Sequence, residues 1–209
     1  MARMVRMGDA GGAGGAGGAG DAGRVPWRVV LLSGPAGAGK TTVCRLGHSA
    51  MAAAWGHPAA AIDTDQLYFN VDARWELTYD DDRNAMVLEQ AAQLAASLFA
   101  HGWPTVLICG NSLFDPVDTA PFVARMSPVA AVHHVSLAPT AEAVVARCAG
   151  QPDRQADALA AEVRRLEGRP HPGSARLDNS ALTPEQTLVA LAALVDGGAG
   201  RIDGADAAC

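Results

Sequence analysis

The run Val29-Val30-Leu31-Leu32-Ser33-Gly34-Pro35-Ala36-Gly37-Ala38-Gly39-Lys40-Thr41-Thr42 decides the fold. Arg28 to Ser33 is a short apolar, β-branched stretch that reads as a buried strand. Gly34 follows at once, and a helix is predicted from Lys40 to about Ala54. Between strand and helix stands G-x-x-x-x-G-K-T, the pattern of a phosphate-binding loop. Its glycines let backbone N–H groups curl around an anion. The helix that follows turns its positive end toward the same anion. Lys40 is the single lysine among 16 lysines and arginines. A compact ammonium on a flexible stem is kept at the one position where a planar guanidinium does not fit.

That loop predicts a nucleotide triphosphate as ligand. Gly34, Pro35, Ala36, Gly37, Ala38, Gly39, Lys40, Thr41 and Thr42 are the expected ATP-binding set. Lys40 should reach the β- and γ-phosphates, and the Thr41 hydroxyl should bind Mg²⁺.

Beyond the loop, strands and helices alternate. Strands are predicted at Ala59–Ile62, Thr105–Cys109, Ala130–Leu137 and Ala175–Leu177. A long helix is predicted from about Asp82 to Ala100, with acidic residues at its start and Gly102 and Pro104 after its end. Shorter helices are expected at 118–126, 140–149, 155–167 and 183–195, and 66–79 reads as irregular and aromatic-rich. Such alternation implies an α/β fold of the P-loop NTPase type: five parallel strands with helices on both faces. Right-handed crossovers place every strand's C-terminal end on one edge, where ligands bind. The domain is expected to span 24–197. Residues 1–23, rich in Gly and Ala, and residues 198–209 are expected to be disordered or flexible tails.

Composition narrows the function. The net charge of −6 disfavours a general binder of nucleic acid or anionic membranes. No run of 18 apolar residues occurs, and the four cysteines are far apart with no C-x-x-C pair. Reduced thiols in the cytoplasm are the reading this favours. His133 and His134 alternate across a strand and read as satisfied core or edge histidines.

Phosphoryl transfer to an alcohol needs a group that positions the hydroxyl and accepts its proton. Asp63 and Asp65, at the end of the second strand, are the candidates. If the strand continues they share a face; if it turns they diverge. Asp65 is read as the base, and Asp63 as assisting through Mg²⁺ or the loop; both could instead cap the turn and the next helix. From Asp63 to Arg83 seven acids face two arginines, which fits a neutral or cationic hydroxyl compound better than a polynucleotide. Tyr68, Phe69, Trp75 and Tyr79 are candidate apolar walls for it, or core.

The series L-L-S-G-P-A-G-A-G-K-T-T, I-D-T-D-Q-L and an arginine-bearing segment before the lid resembles small P-loop kinases of the nucleoside-monophosphate-kinase superfamily. Within that superfamily the resemblance is to chloramphenicol-phosphotransferase, zeta-toxin-like and tunicamycin-resistance ATP-binding proteins, over Val25 to Val195. It implies that Asp65 is the catalytic base, that about 150–172 forms a short helical lid, and that Arg147 and Arg154 close over ATP and stabilise the transferred phosphoryl. It also implies that Asp178-Asn179-Ser180 borders the adenine. The chain departs from the broader pattern at Gly110-Asn111-Ser112, where no acid ends the central strand. Asn111 and Ser112 either bond substrate or make a turn. The expected function is an ATP-dependent kinase for a hydroxyl on an antibiotic or metabolite. A nucleotide-dependent sequestering protein without transfer is the alternative, and a polynucleotide 5′-kinase is a third.

Overall fold

The computed structural model describes residues 26–71, 81–151, 155–169 and 171–203. Five strands lie parallel in the order β2-β3-β1-β4-β5: β1 Arg28–Ser33, β2 Ala59–Asp63, β3 Thr105–Cys109, β4 Ala131–Leu137 and β5 Ala175–Leu177. Their register runs Asp63 to Cys109, Leu32 beside Cys109 and Val135, and Val135 beside Ala175. The segments leaving β2, β3, β1 and β4 therefore emerge together on one edge.

Period-two alternation splits the core between the two faces of the sheet. Val29, Leu31, Val106 and Ile108 face α4 (Asp81–Ala100) and α5 (Pro116–Met126). Val30, Leu32, Leu107 and Val135 face α1 (Lys40–Cys44), α2 (His48–Trp55) and α8 (Pro184–Asp196). These central side chains are wholly buried, each contributing about 1.5–3 kcal/mol by leaving water. α6 (Ala141–Cys148) and α7 (Ala156–Glu167) pack on each other through Val144, Cys148, Leu159 and Val163. Helix starts are capped as their sequences suggest. Thr140 accepts from the N–H of Ala143, and Thr183 and Gln186 form a reciprocal capping box.

Four expectations are corrected. The helix after the phosphate loop is two helices: the Arg45 N–H reaches back to the carbonyls of both Thr41 and Thr42, which tightens and ends α1. The stretch read as irregular begins as α3, Thr64–Val71. α5 starts at Pro116 rather than Asp118, because Asp115 caps it by accepting from the Val117 N–H at 2.8 Å. The chain read as a tail from residue 198 turns back instead. Its Arg201–Ile202 forms β6, antiparallel to β4, and Ile202 is buried in the core. The expected N-terminal tail lies outside the described residues. No helix among the described residues is long and apolar enough to cross a membrane.

Candidate active site

The loop between β1 and α1 lines a cleft of about 710 Å³ on the shared strand edge. Ala36, Gly37, Ala38, Gly39, Lys40, Thr41 and Thr42 all line it. The loop keeps its curl because Gly37 sits at φ 78°, and a Cβ there would stand 2.7 Å from Cys148 Sγ. Lys40 is buried, and its Nζ donates to the carbonyls of Gly34 (2.5 Å) and Pro35 (3.0 Å). The ammonium thus lies against the loop it serves, with polar partners that offset its desolvation.

Strand order divides the cleft. On the β2–β3 side it is lined by Asp65, Asn111 and Arg45. On the β4–β5 side it is lined by Arg147, Cys148, Gln151, Asn179, Leu182, Pro184 and Thr187.

Asp63 and Asp65 diverge. β2 ends at Asp63 and α3 begins at Thr64, so Asp63 Oδ1 accepts the Asp65 N–H at 3.1 Å and caps the helix. Asp63 then lines a separate groove of about 420 Å³ with Cys44 and Arg45, its Oδ2 4.0 Å from Arg45 Nη2. Asp65, one residue into α3, lines the phosphate-loop cleft. Gly110 holds this corner closed. It sits at φ 153°, and a Cβ there would stand 1.8 Å from the hydroxyl oxygen of the fully buried Thr64 and 3.6 Å from Asp65 Oδ1. The end of β3 therefore lies directly on the start of α3. Asn111 faces the cleft, whereas Ser112 is buried in a short 3-10 turn, Asn111–Leu113.

Arg147 reaches the cleft from the last turn of α6. Its Nη2 donates to the carbonyls of Asn179 (2.5 Å) and Ser180 (3.1 Å), and its Nη1 to that of Ala38 (3.4 Å). Asn179 Nδ2 donates to the same Ala38 carbonyl at 2.9 Å. Together they staple the segment after β5 to the phosphate loop. Asp178 adds an Asx turn, accepting from the Ser180 N–H and hydroxyl, and those bonds hold its carboxyl below the usual range. Arg154 lies outside the described residues, as do Trp75 and Tyr79 and the side chain of Phe69. Tyr68 is buried, its hydroxyl donating to Asn84 Oδ1 at 3.1 Å.

Several cleft residues carry no functional signal in the sequence: Val43, Arg45, Cys148, Gln151, Leu182, Pro184 and Thr187. Arg45 belongs to no motif, and Cys148 both packs in the α6–α7 cluster and lies against Gly37. Only their proximity to the loop in the folded chain marks them.

No protein-family model matches the chain, and neither does any curated protein sequence. Solved structures do match. A tunicamycin resistance protein of Deinococcus radiodurans aligns at TM-score 0.58 and 15% identity, over 81% of this chain and 95% of that one. A gluconokinase from Sinorhizobium meliloti aligns at TM-score 0.56 and 19% identity, over 84% and 96%. A shikimate kinase from Bacteroides thetaiotaomicron aligns at TM-score 0.52 and 18% identity, over 80% and 98%. The fold is that of the P-loop small-molecule kinases. In this P-loop kinase fold the phosphate loop, Asp65 and Asn111 share one cleft, while Asp63 lies in the neighbouring groove.

Proposed function

We propose that the protein is an ATP-dependent phosphotransferase that moves the γ-phosphoryl group to a hydroxyl of a small molecule. One observation carries this: Lys40, Thr41 and the loop backbone share a single cleft with the carboxylate of Asp65. The β4–β5 side, with Arg147, Asn179 and Leu182, takes the nucleoside. The β2–β3 side, with Asp65, Asn111 and Arg45, takes the acceptor.

Asp65 accepts the proton of the acceptor hydroxyl as its oxygen bonds to the γ-phosphorus. The bond between that phosphorus and the β–γ bridging oxygen breaks, and ADP departs with the electron pair. Lys40 offsets the charge on the phosphate oxygens. Among the described residues no group of three or more His, Cys, Asp or Glu is arranged to hold a metal alone. Magnesium fits the cleft nonetheless, because it keeps several waters and binds largely through substrate phosphates. The Thr41 hydroxyl, which lines the cleft, is the oxygen donor that would hold it beside those phosphates, and the ion would supply charge neutralisation between them. Asp63, also expected to serve it, faces Arg45 across the separate groove.

The acceptor classes to screen are hydroxylated antibiotics and metabolites; one protein sharing the fold is a tunicamycin resistance protein and others are gluconokinase and shikimate kinase. Incubation with labelled ATP should add about 80 Da, one phosphoryl group, to one such compound. Lys40→Ala should abolish both nucleotide binding and transfer. Calorimetry showing that wild type engages neither ATP nor GTP would sink the reading. A second reading, ATP-dependent sequestration without transfer, is favoured by one feature. The central strand ends in Gly110-Asn111 with no acid. Any phosphorylated product excludes it.

A further inference from the structure

Glu162 does not line the cleft, yet it holds part of the cleft wall. Its Oε1 accepts the backbone N–H of Ala36 at 3.2 Å, joining α7 to the phosphate loop across 126 residues of sequence. Ala36 itself lines the cleft. Beside this bond, Leu159 and Val163 of α7 pack with Val144 and Cys148 of α6, and Ala36 packs on that cluster. Cys148 Sγ and Val144 also close on Gly37. The crest of the loop is therefore gripped from outside by the helical pair.

A planar peptide has no freedom of its own, so fixing the Ala36 N–H constrains the peptides that follow it. Those are the peptides of Gly37, Ala38 and Gly39: the Ala38 N–H closes a turn onto the Pro35 carbonyl at 3.1 Å, and the Gly37 and Gly39 N–H groups are the ones that must converge on an anion for the loop to work. A carboxylate is the strongest side-chain acceptor for one N–H, and the bond is charge-assisted. Alternative partners for this N–H within the loop would turn its peptide plane.

We propose that Glu162 is a positioning residue for the triphosphate: it fixes the crest of the phosphate loop and couples the seating of α7 to the grip on the terminal phosphates. The proposal rests on the nucleotide-binding function above. It goes further by assigning a role to a residue that touches neither nucleotide nor acceptor.

The test compares Glu162→Ala and Glu162→Gln in the full chain. Glutamine retains an oxygen acceptor for the Ala36 N–H; alanine does not. Calorimetry with Mg·ATP should show Glu162→Ala weakened by about fivefold or more, and adenosine binding within about twofold of wild type. Glu162→Gln should bind both within about twofold of wild type. Amide exchange without nucleotide should rise over 34–38 and 156–167 in Glu162→Ala and stay unchanged over 184–196. Equal loss of ATP and adenosine, no loss of ATP, or a glutamine variant as weak as the alanine one overturns the proposal. Unchanged exchange over 34–38 in Glu162→Ala overturns it without any nucleotide present. A wild type that binds no nucleotide defeats instead the function proposed above, while exchange still reports whether α7 steadies the loop.

Discussion

Asp63 and Asp65 stand two residues apart and face different cavities, the first capping the helix that carries the second. The Asp63 carboxylate accepts the Asp65 N–H and turns toward Arg45, while Asp65 opens onto the phosphate-loop cleft. Two residues of chain thus separate an acid that caps a helix from an acid that lines the cleft.

That division predicts unequal losses. Asp65→Asn should lower transfer by about 10²–10⁴-fold while leaving ATP affinity near wild type, because general-base catalysis is worth that much. Asp63→Ala should cost about 1 kcal/mol of stability through the lost cap and reduce transfer far less. Steady-state rates, ATP calorimetry and urea denaturation of both variants decide this. Full transfer by Asp65→Asn removes Asp65 from the chemistry. Wholesale loss of transfer in a folded Asp63→Ala protein would move the base to Asp63.

Arg147 is predicted to act on nucleotide binding more than on the chemical step. Its guanidinium is occupied by the carbonyls of Ala38, Asn179 and Ser180. Arg147→Ala should therefore raise KM for ATP by about tenfold, as expected for bonds from a charged donor, with a smaller change in kcat. A fall in kcat at constant KM would instead show Arg147 acting on the transferring phosphoryl.

The fold was legible wherever local chemistry and tertiary context agreed. The strand, loop and helix around Lys40 announce themselves by pattern, and Thr140 and Thr183 cap the helices they precede. α3 is hard to read because Thr64–Val71 lacks a clear apolar period; what marks its start is the Asp63 cap, and a lone carboxylate in sequence signals a cap and a turn alike. β6 is two residues long, and only the neighbouring β4 makes Arg201–Ile202 a strand. For the cleft, Ala36 to Thr42 and Asp65 were legible from the loop motif and the Asp-x-Asp spacing after β2, whereas Gly34 and Pro35 serve as carbonyl partners of Lys40. Glu162 reaches Ala36 from a helix whose sequence reads as a charged surface, so only the folded chain reveals it.

Gly110 tests how tightly the acceptor side is built. Gly110→Ala combines a backbone conformation that L-residues avoid with a Cβ overlapping the Thr64 hydroxyl at 1.8 Å, and Thr64 is fully buried with nowhere to move. A loss of about 3 kcal/mol or more is expected, from overpacking and strain together. Thr64→Ala in the same chain should recover part of it by removing the overlapping oxygen, while the backbone strain remains. Denaturation midpoints of the single and double variants measure both. A Gly110→Ala protein as stable as wild type contradicts the close approach of β3 to α3.

Acid should destabilise the protein through a buried histidine pair. His134 and His171 have ring centroids 4.1 Å apart. His134 Nε2 donates to the Leu113 carbonyl at 3.1 Å, and its buried Nδ1 has no hydrogen-bond partner among the described residues. His171 Nδ1 donates to the Pro172 carbonyl at 2.8 Å, which leaves Nε2 to accept the Thr119 hydroxyl at 3.0 Å. Burial, then the neighbouring His171, pushes His134 down from 6.5 to about 3. Burial also lowers His171, which the Pro172 carbonyl and Asp115 partly restore. An unfolded His134 takes a proton below about 6.5, whereas the folded one refuses it until far lower pH. Protons therefore favour the unfolded chain, and stability falls as pH drops from 6.5 toward 3. From His134 alone the loss between pH 7 and pH 5 is about 2 kcal/mol. That window lies above the range in which carboxylates titrate, so histidines dominate it. Urea denaturation at pH 7, 6 and 5 should show the decline, and His134→Gln, which does not titrate, should make it shallower, the remainder coming from His57, His133 and His171, which burial also lowers. An unchanged slope in that variant would place the acid sensitivity elsewhere.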